Sequence, residues 1–281
     1  MIQRAGVLIA IEKAFLIPSV RPSQPRLHML ILPLILGCAD IAKLKALSET
    51  VGNTHVLVGA YIGITPPDDD SLDMSGSEFS ATAIVTTVLA DATDVSNLGD
   101  SPVTDAVASW KSPTNGKVDM PFGDLGAYQA TSADGVVYTD GETVVISAEW
   151  EGTHSAEVTS PPPARFAIEE EHEVGVGVTI DLTEQDYDSV FVVVYDGVNQ
   201  VTTFDNRPTD IGAIYDWTHG GGDIAVDIPG ASFGEPSVYA LGVAGIRHSD
   251  AGDFTDANTL LSTYASGKFQ FYVVSTLPTA P

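Results

Sequence analysis

The chain has 281 residues, a formal net charge of −26 and a hydrophobic fraction of 44%. Such a charge repels nucleic-acid phosphates and anionic lipid headgroups, which argues against nucleic acid as a partner. The hydrophobic fraction, together with 26 glycines and 17 prolines, predicts a folded, turn-rich protein rather than a disordered one. We interpret the negative charge first as solubility in salt and second as a capacity to bind cations.

An apolar run over residues 30–37 ends at Cys38, the only cysteine in the chain. Counted through Cys38, the run is nine residues long, which suits the core of a signal peptide and is too short for a membrane-spanning helix. Arg21, Arg26 and His28 precede it and must supply the basic leading region of such a peptide. Because there is no second cysteine, Cys38 forms no internal disulfide, and a buried free thiol is the alternative to a processed site.

The residues Ile35-Leu36-Gly37-Cys38 resemble the lipobox of bacterial lipoproteins, in which branched aliphatics and a small residue precede the cysteine. In that family the signal peptide is cut before the cysteine, whose sulfur then carries diacylglycerol. The resemblance implies a signal peptide over residues 1–37, lipidation at Cys38, and a membrane partner reached through that lipid.

Processing at this position leaves a tether over residues 38–54 and a more acidic mature chain. Removal of residues 1–37 takes away four basic residues and one acidic residue, so the net charge changes from −26 to −29. A second apolar stretch over residues 5–18 leaves the translation start open, with Met29 as a later alternative.

Residues 55–160 alternate short β-branched runs with turns rich in glycine, aspartate and proline, a pattern typical of a β-sandwich or barrel. The predicted strands of this half are residues 56–64, 79–89, 127–130, 136–138, 143–150 and 155–159. A strand-turn-strand order that resembles a transthyretin-like or carboxypeptidase-regulatory-like domain runs through residues 83–91, 102–107, 115–118 and 126–128. That resemblance implies a first β-sandwich domain over residues 55–160.

Three consecutive prolines, Pro161-Pro162-Pro163, mark a domain boundary. Proline cannot donate a sheet hydrogen bond, and a run of prolines favours a stiff, extended linker. We place this linker at residues 161–165.

A second set of predicted strands follows the linker. It consists of residues 174–182, 189–195, 201–204, 224–228, 237–246 and 269–275. The run over residues 190–195 is almost continuously apolar, which predicts a strand buried on both faces. Residues 256–262 are the one segment whose pattern favours a short helix, with a loop as the alternative.

The second half has its own resemblance. Asp186-Tyr187-Asp188 before the apolar strand, together with residues 239–243, is similar to a fibronectin- or immunoglobulin-like module and implies a second domain over residues 166–281. The predicted fold class is therefore all-β, with two tandem β-sandwich domains, immunoglobulin-like or transthyretin-like, after an N-terminal signal or anchor segment.

Two short motifs mimic the oxyanion loop and the nucleophile elbow of α/β-hydrolases, one beginning at His219 and the other centred on Ser232. An elbow needs a helix directly after its serine, whereas Glu235 and Pro236 follow closely here and the next element reads as a strand. The motifs are also only about ten residues apart, which leaves no room for the strand–helix units of that fold. We therefore predict no catalytic residues.

Acidic turns are the natural place for a calcium ion, because carboxylates in flexible loops are its ligands. Two groups of this kind are present: Asp68, Asp69, Asp70 and Asp73, and Asp250, Asp253 and Asp256. Neither fits an EF-hand loop, since Asp73 or Met74 occupies the position that requires glycine. Solvated turns are the expected state, and a calcium site at the first group is the alternative. No other cofactor is expected, because the histidines lack the spacing of a zinc site.

Trp217 lies among glycines and polar residues, which makes it the tryptophan that we expect to be exposed and to contact a ligand. Trp150, at the end of a predicted strand, is expected in a core.

The lipobox resemblance, the all-β pattern and the lack of a catalytic motif together predict a lipid-anchored protein of the cell envelope, at the outer membrane or cell surface. We expect it to bind, adhere or scaffold and not to be an enzyme. Envelope proteins or glycans are its expected partners. Two alternatives stay open, namely a subunit of an extracellular surface fibre and a secreted or surface hydrolase with a loop-built site.

Overall fold

The computed structural model describes residues 55–66, 81–91, 103–123, 127–150, 152–169, 171–195, 201–206, 223–249 and 259–277. Within these ranges the regular elements are strands and two short 3₁₀ turns, so the predicted all-β class is confirmed. The strands are β1 (His55–Thr65), β2 (Ala83–Asp91), β3 (Val107–Ser112), β4 (Gly116–Met120), β5 (Tyr128–Thr131), β6 (Thr143–Glu149), β7 (Thr153–Thr159), β8 (Glu171–Glu173), β9 (Val178–Asp181), β10 (Ser189–Tyr195), β11 (Val201–Asp205), β12 (Ala225–Ile228), β13 (Val238–His248) and β14 (Thr259–Leu277).

These strands form three sheets. The largest has eight strands, seven of them in the order β11-β10-β13-β14-β1-β2-β5. The eighth, β8, pairs with the end of β14 over Ser275–Leu277, beyond the part of β14 that pairs with β1. A four-stranded sheet has the order β4-β3-β6-β7, and β12 pairs with β9 in a two-stranded sheet. The eight-stranded sheet therefore contains strands from both halves of the chain.

The two halves meet where β1 pairs with β14 in parallel. All eleven residues of β1 have partners in β14, from Thr259 to Gln270. On its other side β1 pairs with β2, and β14 pairs with β13, both antiparallel. A 19-residue strand is long for a globular protein, and its length is what allows β14 to serve both halves.

A first hydrophobic core lies between β1, β2 and β5 of the large sheet and the four-stranded sheet, and its buried members fall within residues 61–158. Trp110 of β3 is fully buried at its centre. In β6, Val144, Ile146 and Ala148 are buried while their neighbours are more exposed, the two-residue period of a strand with one face in a core. Burial of a larger apolar side chain, such as that of Val144 or Ile146, stabilises the fold by about 1.5–3 kcal/mol. As predicted, Trp150 packs against this core.

A second core lies between β10, β13 and β14 on one side and the β9–β12 pair on the other, within residues 164–274. Phe233, from the 3₁₀ turn Gly230–Phe233, is fully buried in it and meets the Tyr239 ring edge-on at 5.4 Å. The prediction for residues 190–195 is confirmed, because six of the seven residues of β10 are buried. The opposite face of the large sheet is buried too, as Phe191 and Phe269 show.

Two local predictions were wrong. Residues 259–262 are not helical but form the start of β14, where pairing with β1 overrides their local pattern. Residues 136–138 do not form a strand. The backbone of Val137 bonds to side chains instead of a neighbouring strand: its N–H donates to Asn115 Oδ1, and its carbonyl accepts from Asn115 Nδ2 and the Tyr61 hydroxyl.

We expect the substitution Phe233→Ala in the second core to destabilise the first core as well, because β14 and β1 join the cores through one sheet. The cost is about 3–5 kcal/mol, typical of a buried phenylalanine. Urea unfolding followed by the fluorescence of Trp110 and Trp150, in a Trp217→Phe background, measures the first core. Its midpoint should fall together with that of far-UV circular dichroism. The exposed-site control Val176→Ala should change neither, and an unchanged fluorescence midpoint in Phe233→Ala would contradict this coupling.

Candidate functional site

The site residues predicted from sequence lie outside the described residues. They are Cys38, Asp68, Asp69, Asp70, Asp73, Trp217 and His219, together with Asp250, Asp253 and Asp256. Lipidation, calcium binding and ligand contact at these positions stay predictions. Ser232 is described and lies in the 3₁₀ turn Gly230–Phe233, where its N–H donates to the Pro229 carbonyl. The next regular element is β13, so no helix follows this serine, as the sequence indicated.

A set of aromatic and polar contacts, buried or part-buried, lies where the two halves join. We call Tyr61, Trp110, Tyr138, Ser266 and Lys268 the junction cluster. The Tyr61 ring lies between two aromatic neighbours, with the Tyr138 centroid 4.6 Å away and nearly parallel and the Trp110 centroid 5.2 Å away. Offset rings at these separations attract each other beyond the area they bury.

Hydroxyl groups connect the junction cluster to backbone carbonyls. Tyr61 donates to the Val137 carbonyl at 2.8 Å, and Ser266 donates to the Tyr61 carbonyl at 2.9 Å. Tyr138 donates to the Pro161 carbonyl at 2.9 Å, with Ser266 Oγ 3.4 Å away. Each bond contributes about 0.5–1.5 kcal/mol, and leaving one of these buried groups without a partner costs more.

A cation borders the cluster. Lys268 Nζ lies 3.0 Å from Asp140 Oδ1 and 5.6 Å from the centre of the Tyr138 ring. The ammonium group thus meets a carboxylate and the negative face of an aromatic ring together. Burial raises the pKa of both Tyr61 and Tyr138 above the ordinary value of 10.0, so both are protonated donors at neutral pH.

The proline linker is fixed to the two halves rather than free. Pro161 is buried and its carbonyl accepts from Tyr138, while the Pro162 carbonyl accepts from the Tyr187 hydroxyl at 3.1 Å. Just before it, buried Ser160 donates to the Thr139 carbonyl at 2.6 Å. The first two residues of the linker are therefore each hydrogen-bonded to a tyrosine, one from each half.

Sequence reasoning also missed a serine–histidine contact. Ser189 Oγ lies 3.0 Å from His248 Nε2, and the His248 backbone N–H donates to Asp188 Oδ2 at 2.8 Å. An ion pair between Arg247 and Asp186 lies beside them. A catalytic serine needs such a base, but it must also reach a substrate, and Ser189 is 3% exposed. In this structure the contact ties the start of β10 to the end of β13.

Comparisons with known proteins give no assignment, since no protein-family model and no curated protein matches this chain. Within the described ranges, no group of three or more histidine, cysteine, aspartate or glutamate side chains is placed to hold a metal ion. The same residues include no helix with the length and hydrophobicity needed to cross a bilayer. The junction cluster joins the two halves through stacked rings, hydrogen bonds and one ion pair.

We expect Gly63→Ala to destabilise the fold, because a Cβ atom at this position would lie 2.5 Å from Cγ of Tyr138. Displacing a ring in a filled core costs about 1–3 kcal/mol. Gly123→Ala is the matched control, since the nearest atom to its added Cβ is the Ala127 carbonyl oxygen at an ordinary 3.6 Å. Urea unfolding of both variants measures the difference, and equal losses would show that the Tyr138 ring does not constrain β1.

We also expect the free energy of unfolding to fall above pH 10, with Tyr138 contributing to the slope. The unfolded tyrosine ionises near its ordinary pKa of 10.0, whereas the folded one, with its raised pKa, keeps its proton. Its stabilisation is therefore complete below pH 10 and lost at about 1.4 kcal/mol per pH unit above it. In Tyr138→Phe this contribution is absent, so between about pH 10 and pH 12 the free energy of unfolding, measured with urea, should fall less steeply with pH than in the parent. Identical slopes in the variant and the parent would contradict the role of Tyr138.

Proposed function

We propose that this protein is a lipid-anchored component of the bacterial cell envelope with a binding, adhesion or scaffolding role and no catalytic activity. The observation that carries the proposal is the run Ile35-Leu36-Gly37-Cys38, with its single cysteine at the end of a short apolar segment. A lipoprotein cysteine carries more than one acyl chain, and two chains hold a protein stably where one does not.

The charge of the chain supports a covalent anchor. A mature chain with a net charge of −29 is repelled by anionic headgroups, so it gains nothing from electrostatic adsorption to such a membrane. Retention at the outer membrane or cell surface then depends on the lipid at Cys38. The tether over residues 38–54 spans at most about 60 Å when extended, which sets the reach of the folded part.

The arrangement of the cores supports two β-sandwich domains of the immunoglobulin-like or transthyretin-like kind, over residues 55–160 and 166–281. The buried members of the cores fall within residues 61–158 and 164–274, on either side of the linker. The shared sheet and the bonded linker hold the domains in one orientation, which suits a scaffold that presents a partner-binding surface at a fixed angle. The partner on this proposal is an envelope protein or a glycan.

The edge strands favour this role over the fibre alternative. A fibre built by strand addition needs an open edge of some length. In the four-stranded sheet, edge strand β4 carries Lys117 and Asp119, which are 3.8 Å apart and mostly exposed. The edges of the large sheet, β5 and β11, have only four and five residues. Charged and short edges resist strand addition.

Metabolic labelling with palmitate tests the anchor. We expect label on the wild-type protein in a bacterial host, none on Cys38→Ala, and accumulation of the uncut precursor when the lipoprotein signal peptidase is inhibited by globomycin. Gly37→Ala is the matched control, because it keeps a small residue before the cysteine and should be labelled like the wild type. Wild-type protein without label, or label that survives in Cys38→Ala, would overturn the proposal.

A further inference from the structure

The strand that follows the tether, β1, and the last strand of the described residues, β14, lie side by side and run in the same direction. His55–Thr65 pairs with partners between Thr259 and Gln270, and β14 then continues to Leu277. The tether side of β1 and the far end of β14 therefore lie at opposite ends of the shared interface.

This arrangement determines how the fold responds to tension. Load that enters at His55 pulls β1 towards its start, and load that leaves at Leu277 pulls β14 in the opposite direction along the same axis. The two strands are then sheared, and the hydrogen bonds between them resist together. Two antiparallel strands pulled apart from one end open one pair after another instead, so each bond meets the load alone.

Each strand has a further neighbour over part of the interface. β1 pairs with β2 over His55–Gly63, and β14 pairs with β13 from Ala265 to Ser275 and with β8 over Ser275–Leu277. Each is also held by a core, since β1 contributes Tyr61 to the first and β14 contributes Val274 to the second. Sliding β1 past β14 would therefore also pull apolar side chains out of the cores, and the free-energy cost of exposing them opposes the shear.

Side chains add bonds across the same interface. Ser266 of β14 is in register with Tyr61 of β1, and its hydroxyl donates to the Tyr61 carbonyl. Two residues further, Lys268 is in register with Gly63, against which the Tyr138 ring lies. While this interface holds, tension passes directly from β1 to β14, and the chain between them, including the proline linker, lies outside the load path.

We infer that the β1–β14 pair is a mechanical clamp that carries tension between the lipid-anchored end of the chain and a partner held by the second half. The inference rests on the proposed function for the source of the load, whereas the clamp is a property of the fold. A tethered surface protein is under such load whenever its bound partner is pulled away from the membrane.

Single-molecule force measurements on the full chain, produced without lipid, test the clamp. The native Cys38 thiol supplies one attachment point. A second thiol in Pro281→Cys loads β1 and β14 in shear, whereas one in Asp91→Cys loads β1 and β2 from one end, because Asp91 pairs with His55. Rupture under load follows the barrier to unfolding, so at equal loading rates we expect a higher rupture force in the shear geometry.

A matched pair of serine variants locates the resistance. Ser266 and Ser160 are both fully buried and both donate to a backbone carbonyl, but only Ser266 bonds across the clamp. With the Pro281→Cys attachment, Ser266→Ala should lower the rupture force and Ser160→Ala should leave it unchanged. Urea unfolding of both variants separates a change in force from a change in overall stability.

The outcomes distinguish the clamp from the anchor. Equal forces in the two pulling geometries, or equal loss of force in the two serine variants, would overturn the clamp whatever the labelling shows. A high shear force in a protein that takes up no palmitate would leave the clamp in place and overturn the lipid anchor as its source of load.

Discussion

The parallel pairing of β1 with β14 is the constraint on which the rest of the structure depends. It joins strands at the two ends of the described chain, so forming it closes a loop of about 200 residues, at an entropic cost of several kcal/mol. Parallel strands also gain slightly less per residue than antiparallel ones. The pair is stabilised because both strands also pair with a second strand over part of their length and both bury side chains in a core, so its formation and that of the cores support each other.

The close contact between β1 and the Tyr138 ring depends on the size of a few side chains at the junction. Gly63 leaves room for the Tyr138 ring, whose hydroxyl then reaches the Pro161 carbonyl. Ser266, 205 residues away in sequence from Tyr61, satisfies its carbonyl. A larger residue at Gly63 would displace the ring, and the ring carries the hydroxyl that fixes the linker. Orientation of the two halves is therefore specified by a few small and aromatic side chains.

Local patterns were sufficient to predict the all-β class and most strands. Alternation of apolar and polar residues and turns rich in glycine or proline can both be recognised within a few consecutive residues. Ser189–Tyr195 matched its predicted bounds, while residues 259–262 were mistaken for a helix because their partner, β1, lies some 200 residues earlier. The junction cluster and the Ser189–His248 contact were missed for the same reason, since nothing near Tyr61 indicates Ser266. The predicted sites at Cys38 and Trp217 rest on sequence alone.

The proline linker shows why a break in the sheet need not be a flexible hinge. A buried backbone needs partners for both its N–H and its carbonyl groups, but prolines have no N–H. The carbonyls of Pro161 and Pro162 accept from the hydroxyls of Tyr138 and Tyr187. The linker is thereby bonded to both halves without joining a sheet, and these bonds oppose movement of one half relative to the other.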